Sequence, residues 1–211
     1  MGDMSDDPDL NAAYALQTPA DSQRLYARWA KTYDTTFADA TGYILHMQVA
    51  ALFTEHGGTG PVLDVGAGTG LCGAALMAQG IAPVDGTDIS PEMLEVAKDK
   101  GIYRKLFTGD ILQGLNVPDN TYAGATSSGT FTTGHVGPEA LNEVMRVVRP
   151  GGRITISIKA QHFASQGFTE KFTELEPDIQ DLTLTDVPIY SSETTGDHAR
   201  DMARVASWIK R

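Results

Sequence analysis

The stretch Val62 to Leu76, VLDVGAGTGLCGAAL, decides how this chain is read. Val62, Leu63 and Val65 set Asp64 in an apolar run, which opens into a loop bearing Gly66, Gly68, Gly70 and Gly73. The run reads as a buried strand, and the next helix starts near Thr69 and ends at Gly80. A glycine-dense loop between the first strand and the first helix of an open α/β sheet binds nucleotides at the carboxyl ends of the strands. The competing reading is a tight strand–helix turn with no ligand.

Two nucleotide cofactors compete for such a loop. The dinucleotide fingerprint GxGxxG, counted from Gly66, needs glycine at 71, where this chain has Leu71. A match at Gly68, Gly70 and Gly73 starts two residues too deep into the loop. A carboxylate at Asp64 would repel pyrophosphate at a helix N-terminus. It suits a ligand with an amine and no phosphate, such as S-adenosylmethionine, an adenosine bearing a sulfonium, an ammonium and one carboxylate. Gly66, Ala67, Gly68 and Gly70 would let the backbone approach the sugar and the amino-acid moiety. An NAD-dependent oxidoreductase stays open as the alternative, and so does a nucleoside-binding module without turnover.

Working outward, the chain alternates strands and helices. PVDGTDI forms a second strand ending at Asp88, 20 residues after Gly68, where a carboxylate accepts ribose hydroxyls from either cofactor. Ser90 and Pro91 supply an N-cap and an N1 proline for the helix PEMLEVAKDK, which Gly101 stops. YRKLFTGDI is a third strand. Its Asp110 is placed to accept from an adenine amino group and its Ile111 amide to donate to a ring nitrogen, with Ile89 and Ile111 about the purine. YAGATSSG is a fourth strand, and Ser127 and Ser128 begin a polar wall after it. Pro138 opens a helix through Leu141, Val144, Met145 and Val148, and RPGG turns into a fifth strand, RITISIK. A helix over Thr169–Leu175 and two strands, LTLTDVPIY and ARVASWI, complete the pattern. This alternation predicts a mostly parallel sheet covered on both faces, with one late strand joining antiparallel.

Residues 1–20 read as a flexible acidic tail and 21–211 as one domain, with a helical cap over 21–56 and a core over 61–211. In the cap, Tyr26, Trp29, Ala30, Tyr33 and Phe37 share one helical face from Asp21 onward. Ile44, Leu45, Val49, Leu52 and Phe53 form a second helix that breaks at Gly57-Gly58. The hydrophobic share of 41% and the absence of a membrane-length apolar run predict a globular protein off the membrane. The net charge of −11 disfavours nucleic acid as a partner and leaves a small-molecule substrate. A single cysteine, Cys72, and an N-terminus without a secretory pattern point to the cytoplasm.

Histidines 46, 56, 162 and 198 are scattered away from metal-ligand spacing, so no metal site is expected. His135, in the loop after the fourth strand, is the candidate base for a substrate hydroxyl or amine; the competing reading is a surface histidine. Phe131 and Thr132 join it as candidate substrate-side residues.

The series LDVGAGTG, GTDISPEML, GDI and RVVRPGG resembles the motifs of class I S-adenosylmethionine-dependent methyltransferases. YARWAKTYDTTF and SSGTFTTGHVGPEAL are similar to the small methyltransferase-like proteins named after the Williams–Beuren syndrome chromosomal region. The resemblance implies a Rossmann-like, doubly wound sheet of seven strands, mostly parallel with the last antiparallel, under an N-terminal helical cap. It implies Tyr26 and Trp29 at the cofactor mouth, S-adenosylmethionine as cofactor with S-adenosylhomocysteine as product, and methyl transfer by direct displacement. No Asn/Asp-Pro-Pro-Tyr motif comes after the fourth strand, which disfavours methylation of DNA bases or protein glutamine.

Overall fold

The computed structural model describes residues 19–132, 136–196 and 199–211. Seven strands form one sheet: β1 Val62–Val65, β2 Val84–Asp88, β3 Lys105–Thr108, β4 Tyr122–Phe131, β5 Val148–Lys159, β6 Ile179–Pro188 and β7 Met202–Lys210. Their spatial order is β3-β2-β1-β4-β5-β7-β6. The pairs from β3 across to β5 are parallel, and β7 runs antiparallel to both β5 and β6. The sheet is therefore the Rossmann-like one expected, with its seventh strand reversed.

β1 is buried along its whole length, which is why three of its four residues are aliphatic. Side chains alternate across a strand. Leu63 and Val65 enter one core with Ile154, Ile156, Ile158, Phe131, Phe168 and Trp208. Val62 faces the other core, where Val49, Phe53, Leu76, Val84 and Val205 pack. Asp64 shares the face of Val62, and this decides its role below.

The helices are α1 Pro19–Trp29, α2 Leu45–Glu55, α3 Leu71–Ala78, α4 Pro91–Asp99, α5 Leu141–Val147, α6 Ala160–Ser165 and α7 Phe168–Leu175. The α4 cap forms as expected: Ser90 Oγ accepts from the Met93 amide at 3.3 Å, with Pro91 at the first helical position. The helix expected to run unbroken from Asp21 to Phe37 instead ends at Trp29. A turn and a π-helical segment, Tyr33–Asp39, replace its second half. The threonines there compete for backbone acceptors: Thr35 and Thr36 both donate to the Thr32 carbonyl, at 3.3 and 2.7 Å, which favours a widened turn. Helix α6 has no periodic signal in the sequence. Among the described residues, no helix is long and apolar enough to cross a membrane.

Candidate active site

A cavity open to solvent lies over the carboxyl ends of β1, β2 and β4. Tyr26, Gly66, Ala67, Gly68, Asp88, Ile89, Asp110, Ile111 and Ser128 all line it. The glycine loop enters it at the end of β1. Gly68 has φ +54°, and a Cβ there would meet no protein atom within 4 Å, so this position faces open space. Gly66, at φ +70°, lies where a Cβ would overlap Thr130 Oγ1.

Asp88 is held by two backbone amides. The Gly68 amide donates to Oδ2 at 2.8 Å and the Ser90 amide to Oδ1 at 2.9 Å. Each oxygen keeps capacity for a further donor. Burial raises the Asp88 carboxyl above its usual range, against the pull of those amides. Asp110 accepts the Leu112 amide on Oδ1 at 2.9 Å, closing a turn that leaves Oδ2 for a ligand donor. Two carboxylates, apolar Ile89 and Ile111 beside them, and a bare loop bonded to Asp88 through the Gly68 amide line one cavity that suits a nucleoside.

Several expected residues lie elsewhere. Asp64 contributes no surface to the cavity. It is fully buried on the far side of the loop, where Tyr103 Oη donates to Oδ2 at 2.7 Å and Thr126 Oγ1 to Oδ1 at 3.4 Å. These contacts make it a support of the loop from beneath. Gly70 N-caps α3 at φ 93° and packs toward Tyr103 and Ala97. The hydroxyl of Ser127 is buried, donating to the Val65 carbonyl at 2.7 Å. Phe131 is a core residue, edge-on to Phe168 at 6.3 Å. Thr132 is tied back to the Thr130 carbonyl at 3.0 Å, away from the cavity. Trp29 is buried in a small cluster with Leu25, edge-on to Tyr26 at 5.8 Å. His135 lies outside the described residues.

The segment from α1 to the start of α2 covers the cavity. Gln23 donates to the Ile89 carbonyl at 3.1 Å. Asp34 accepts from Thr69 Oγ1 at 2.5 Å and pairs with Lys100 at 2.6 Å. Tyr43 Oη lies 3.2 Å from Ser128 Oγ, which ties the cover to the end of β4. This segment brings Tyr33, Tyr43 and His46 into the cavity wall. Burial raises the phenols of Tyr26, Tyr33 and Tyr43, so all three are neutral hydrogen-bonding groups at physiological pH. Sequence reasoning passes over Tyr43 and His46. The sequence carries no clear signal for them, because Tyr43 precedes the helix in an isolated bridge to Tyr190 and only His46 lies in its first turn. The imidazole of His46 stacks on Tyr43 at 5.6 Å.

A family model described as a methyltransferase domain matches residues 62–152. Methyltransferase-like protein 27 from Homo sapiens is 31% identical over 154 residues, which cover 71% of this chain and 62% of that protein. The match thus spans less than two thirds of that relative's length. A demethylmenaquinone methyltransferase from Corynebacterium kroppenstedtii is 33% identical over 181 residues, covering 82% of this chain and 76% of that protein. Among solved structures, an S-adenosylmethionine-dependent methyltransferase from Thermotoga maritima superposes with a TM-score of 0.62 at 17% identity. That superposition covers 90% of this chain and 99% of the other, and it speaks for the fold.

Proposed function

This chain belongs to the class I S-adenosylmethionine-dependent methyltransferases, and we propose that within that family it methylates a small-molecule acceptor by direct displacement. The observation that carries this reading is the pairing of Asp88 and Asp110 with the open face of Gly68 in one cavity.

The residues fit the cofactor. Asp88 has two free acceptor positions for a pair of ribose hydroxyls, Asp110 has one for an adenine amino group, and Ile89 and Ile111 offer apolar flanks. When bound, S-adenosylmethionine supplies an electrophilic methyl carbon on a sulfonium leaving group. The protein's contribution is then alignment, which is worth about 7–11 kcal/mol when two reactants are held in line. The cover from Gln23 to Tyr43 is fastened beside the cavity through its contacts with Ile89, Thr69 and Ser128.

A small acceptor suits a cavity walled mostly by aliphatic and aromatic side chains. The kinship with demethylmenaquinone methyltransferases favours an acceptor with an apolar ring. The acidic balance of the chain argues against nucleic acid, and its single buried thiol suits the cytoplasm. Calorimetric titration of the purified chain with S-adenosylhomocysteine tests the site, with one-to-one binding expected; absence of binding overturns it. A panel of small acceptors, read by release of S-adenosylhomocysteine, then tests the acceptor class.

A further inference from the structure

We propose that His46 receives the carboxylate of the cofactor's amino-acid tail. The inference rests on the cofactor site proposed above and gives a partner to the anionic part of the ligand, which the nucleoside-binding groups leave unmatched.

The charge pattern of the cavity carries the argument. Its lining carboxylates, Asp88 and Asp110, accept hydrogen bonds and repel a third carboxylate. Among the described lining residues there is no lysine or arginine, and His46 is the side chain that can carry a positive charge. Its Nδ1 is buried without a hydrogen-bond partner among the described residues and is closed off from the open cavity, which leaves Nε2 as the nitrogen that can meet a ligand.

Position agrees with charge. The nucleoside end of the cavity is marked by Asp88, Asp110 and Ile111. His46 lines the same cavity from the first turn of α2, at the end of the covering segment. Its electrostatic neighbours are Lys100 and Asp34, and Asp34 is bonded to Thr69 within the glycine loop. The stack on Tyr43 fixes the ring plane, and Tyr43 is itself linked to Ser128. A tail running from the ribose along the loop therefore ends at this imidazole.

A proton should accompany the carboxylate. In the ligand-free site, burial foremost and then the Lys100 ammonium hold His46 below its ordinary range, with Asp34 opposing. The charged or titratable groups around it are Asp34 on the π-helical segment, Lys100 after α4, Cys72 on α3, and the neutral phenols of Tyr33 and Tyr43. A carboxylate placed against the ring favours imidazolium, so binding takes up a proton at neutral pH.

The test compares two ligands by calorimetry on the full chain. S-adenosylhomocysteine has the amino-acid tail; 5′-methylthioadenosine has the same nucleoside and sulfur without it. His46→Ala is expected to weaken S-adenosylhomocysteine about ten- to a hundred-fold, the range of a charge-assisted hydrogen bond, and to change 5′-methylthioadenosine less than about two-fold. Titrations in buffers of different ionisation enthalpy should show proton uptake for the wild type with S-adenosylhomocysteine. That uptake should vanish in His46→Gln and with 5′-methylthioadenosine. Retained 5′-methylthioadenosine binding certifies that a variant is folded, and His46→Gln decides the matter if His46→Ala is not. Equal losses for both ligands, or unchanged proton uptake in His46→Gln, overturns the role of His46 and leaves the cofactor site standing. Failure of the wild type to bind either ligand removes both.

Discussion

Tyr103 Oη donates a 2.7 Å hydrogen bond to Oδ2 of the fully buried Asp64 beneath the glycine loop. The ring of Tyr103 lies against Gly70, Gly73 and Gly86: a Cβ at Gly73 or Gly86 would collide with it, and one at Gly70 would crowd it at 3.1 Å. The loop's glycines thus serve two surfaces: Gly68 clears space above for a ligand, while Gly70 and Gly73 clear space below for a phenol. Tyr103→Phe keeps the ring and removes the donor to a buried carboxylate. A loss of roughly 1–3 kcal/mol in unfolding free energy is expected, measured by urea denaturation at pH 7. A variant as stable as the wild type would show that the bond contributes nothing.

Asp64 also gives the protein a pH signature. Burial pushes its carboxyl up to about 6, although Tyr103, Cys72 and Thr126 pull it down. The folded form therefore binds the proton more tightly than the unfolded chain, and between about pH 4 and 6 the native state holds more protons. Stability must then fall as pH rises through that window, by roughly 3 kcal/mol from this group, and level off above it. Asp64→Asn removes the titration while leaving an oxygen to accept from Tyr103. Denaturation midpoints collected from about pH 4 to 7 should decline in the wild type and run flatter in the variant. Parallel profiles would refute the assignment.

Gly66 and Gly68, on either side of Ala67, should fail in opposite ways. Gly66→Ala drives a Cβ into Thr130 at a positive φ, so the variant is expected to lose stability, read as a lowered melting temperature. Gly68→Ala meets no protein atom and incurs only the left-handed backbone cost of about 1–2 kcal/mol. Its methyl group occupies ligand space, however, and S-adenosylhomocysteine binding should fall at least about ten-fold. A Gly68→Ala protein with wild-type affinity would move the ligand away from the loop.

The mostly parallel sheet with one late antiparallel strand, and the carboxyl-end placement of Asp88 and Asp110, are legible in the sequence because alternation of short apolar runs with capped helices is a local signal. The face on which Asp64 lies is harder to see, although strand alternation requires it: Leu63 and Val65 enter one core, so Asp64 must enter the other. Its partner Tyr103 is 39 residues away and carries no mark in the sequence. Trp29 resembles a wall residue because its helical face also holds Tyr26. The break after Trp29 re-aims the chain beyond it, so that Tyr33, Tyr43 and His46 line the cavity while Trp29 is packed inside the cover. That break comes from hydroxyls bonding to Thr32, an effect that apolar periodicity does not register.

The cover is fastened to the glycine loop at one ionic point. Asp34 accepts from Thr69 on Oδ1 and pairs with Lys100 at 2.6 Å through Oδ2, so a single carboxylate ties the π-helical segment to the loop and to the end of α4. Asp34→Ala releases both bonds; Asp34→Asn keeps an acceptor for Thr69 and loses only the charge pairing. Because the groups are part-exposed, the ion pair alone is expected to contribute no more than about 1 kcal/mol, and global unfolding should change little. Local opening of residues 19–40 should change more, since Asp34 ties that stretch to both the loop and the end of α4, whereas residues 41–44 are held separately by backbone bonds to Ile189 and Ser191. Limited proteolysis should cut Asp34→Ala within this segment several times faster than the wild type, with Asp34→Asn between them. Added S-adenosylhomocysteine should slow cutting in all three by closing the cavity from within. Equal cleavage rates in wild type and Asp34→Ala would mean that the aromatic packing of Tyr26, Tyr33 and Phe37 holds the cover without the carboxylate.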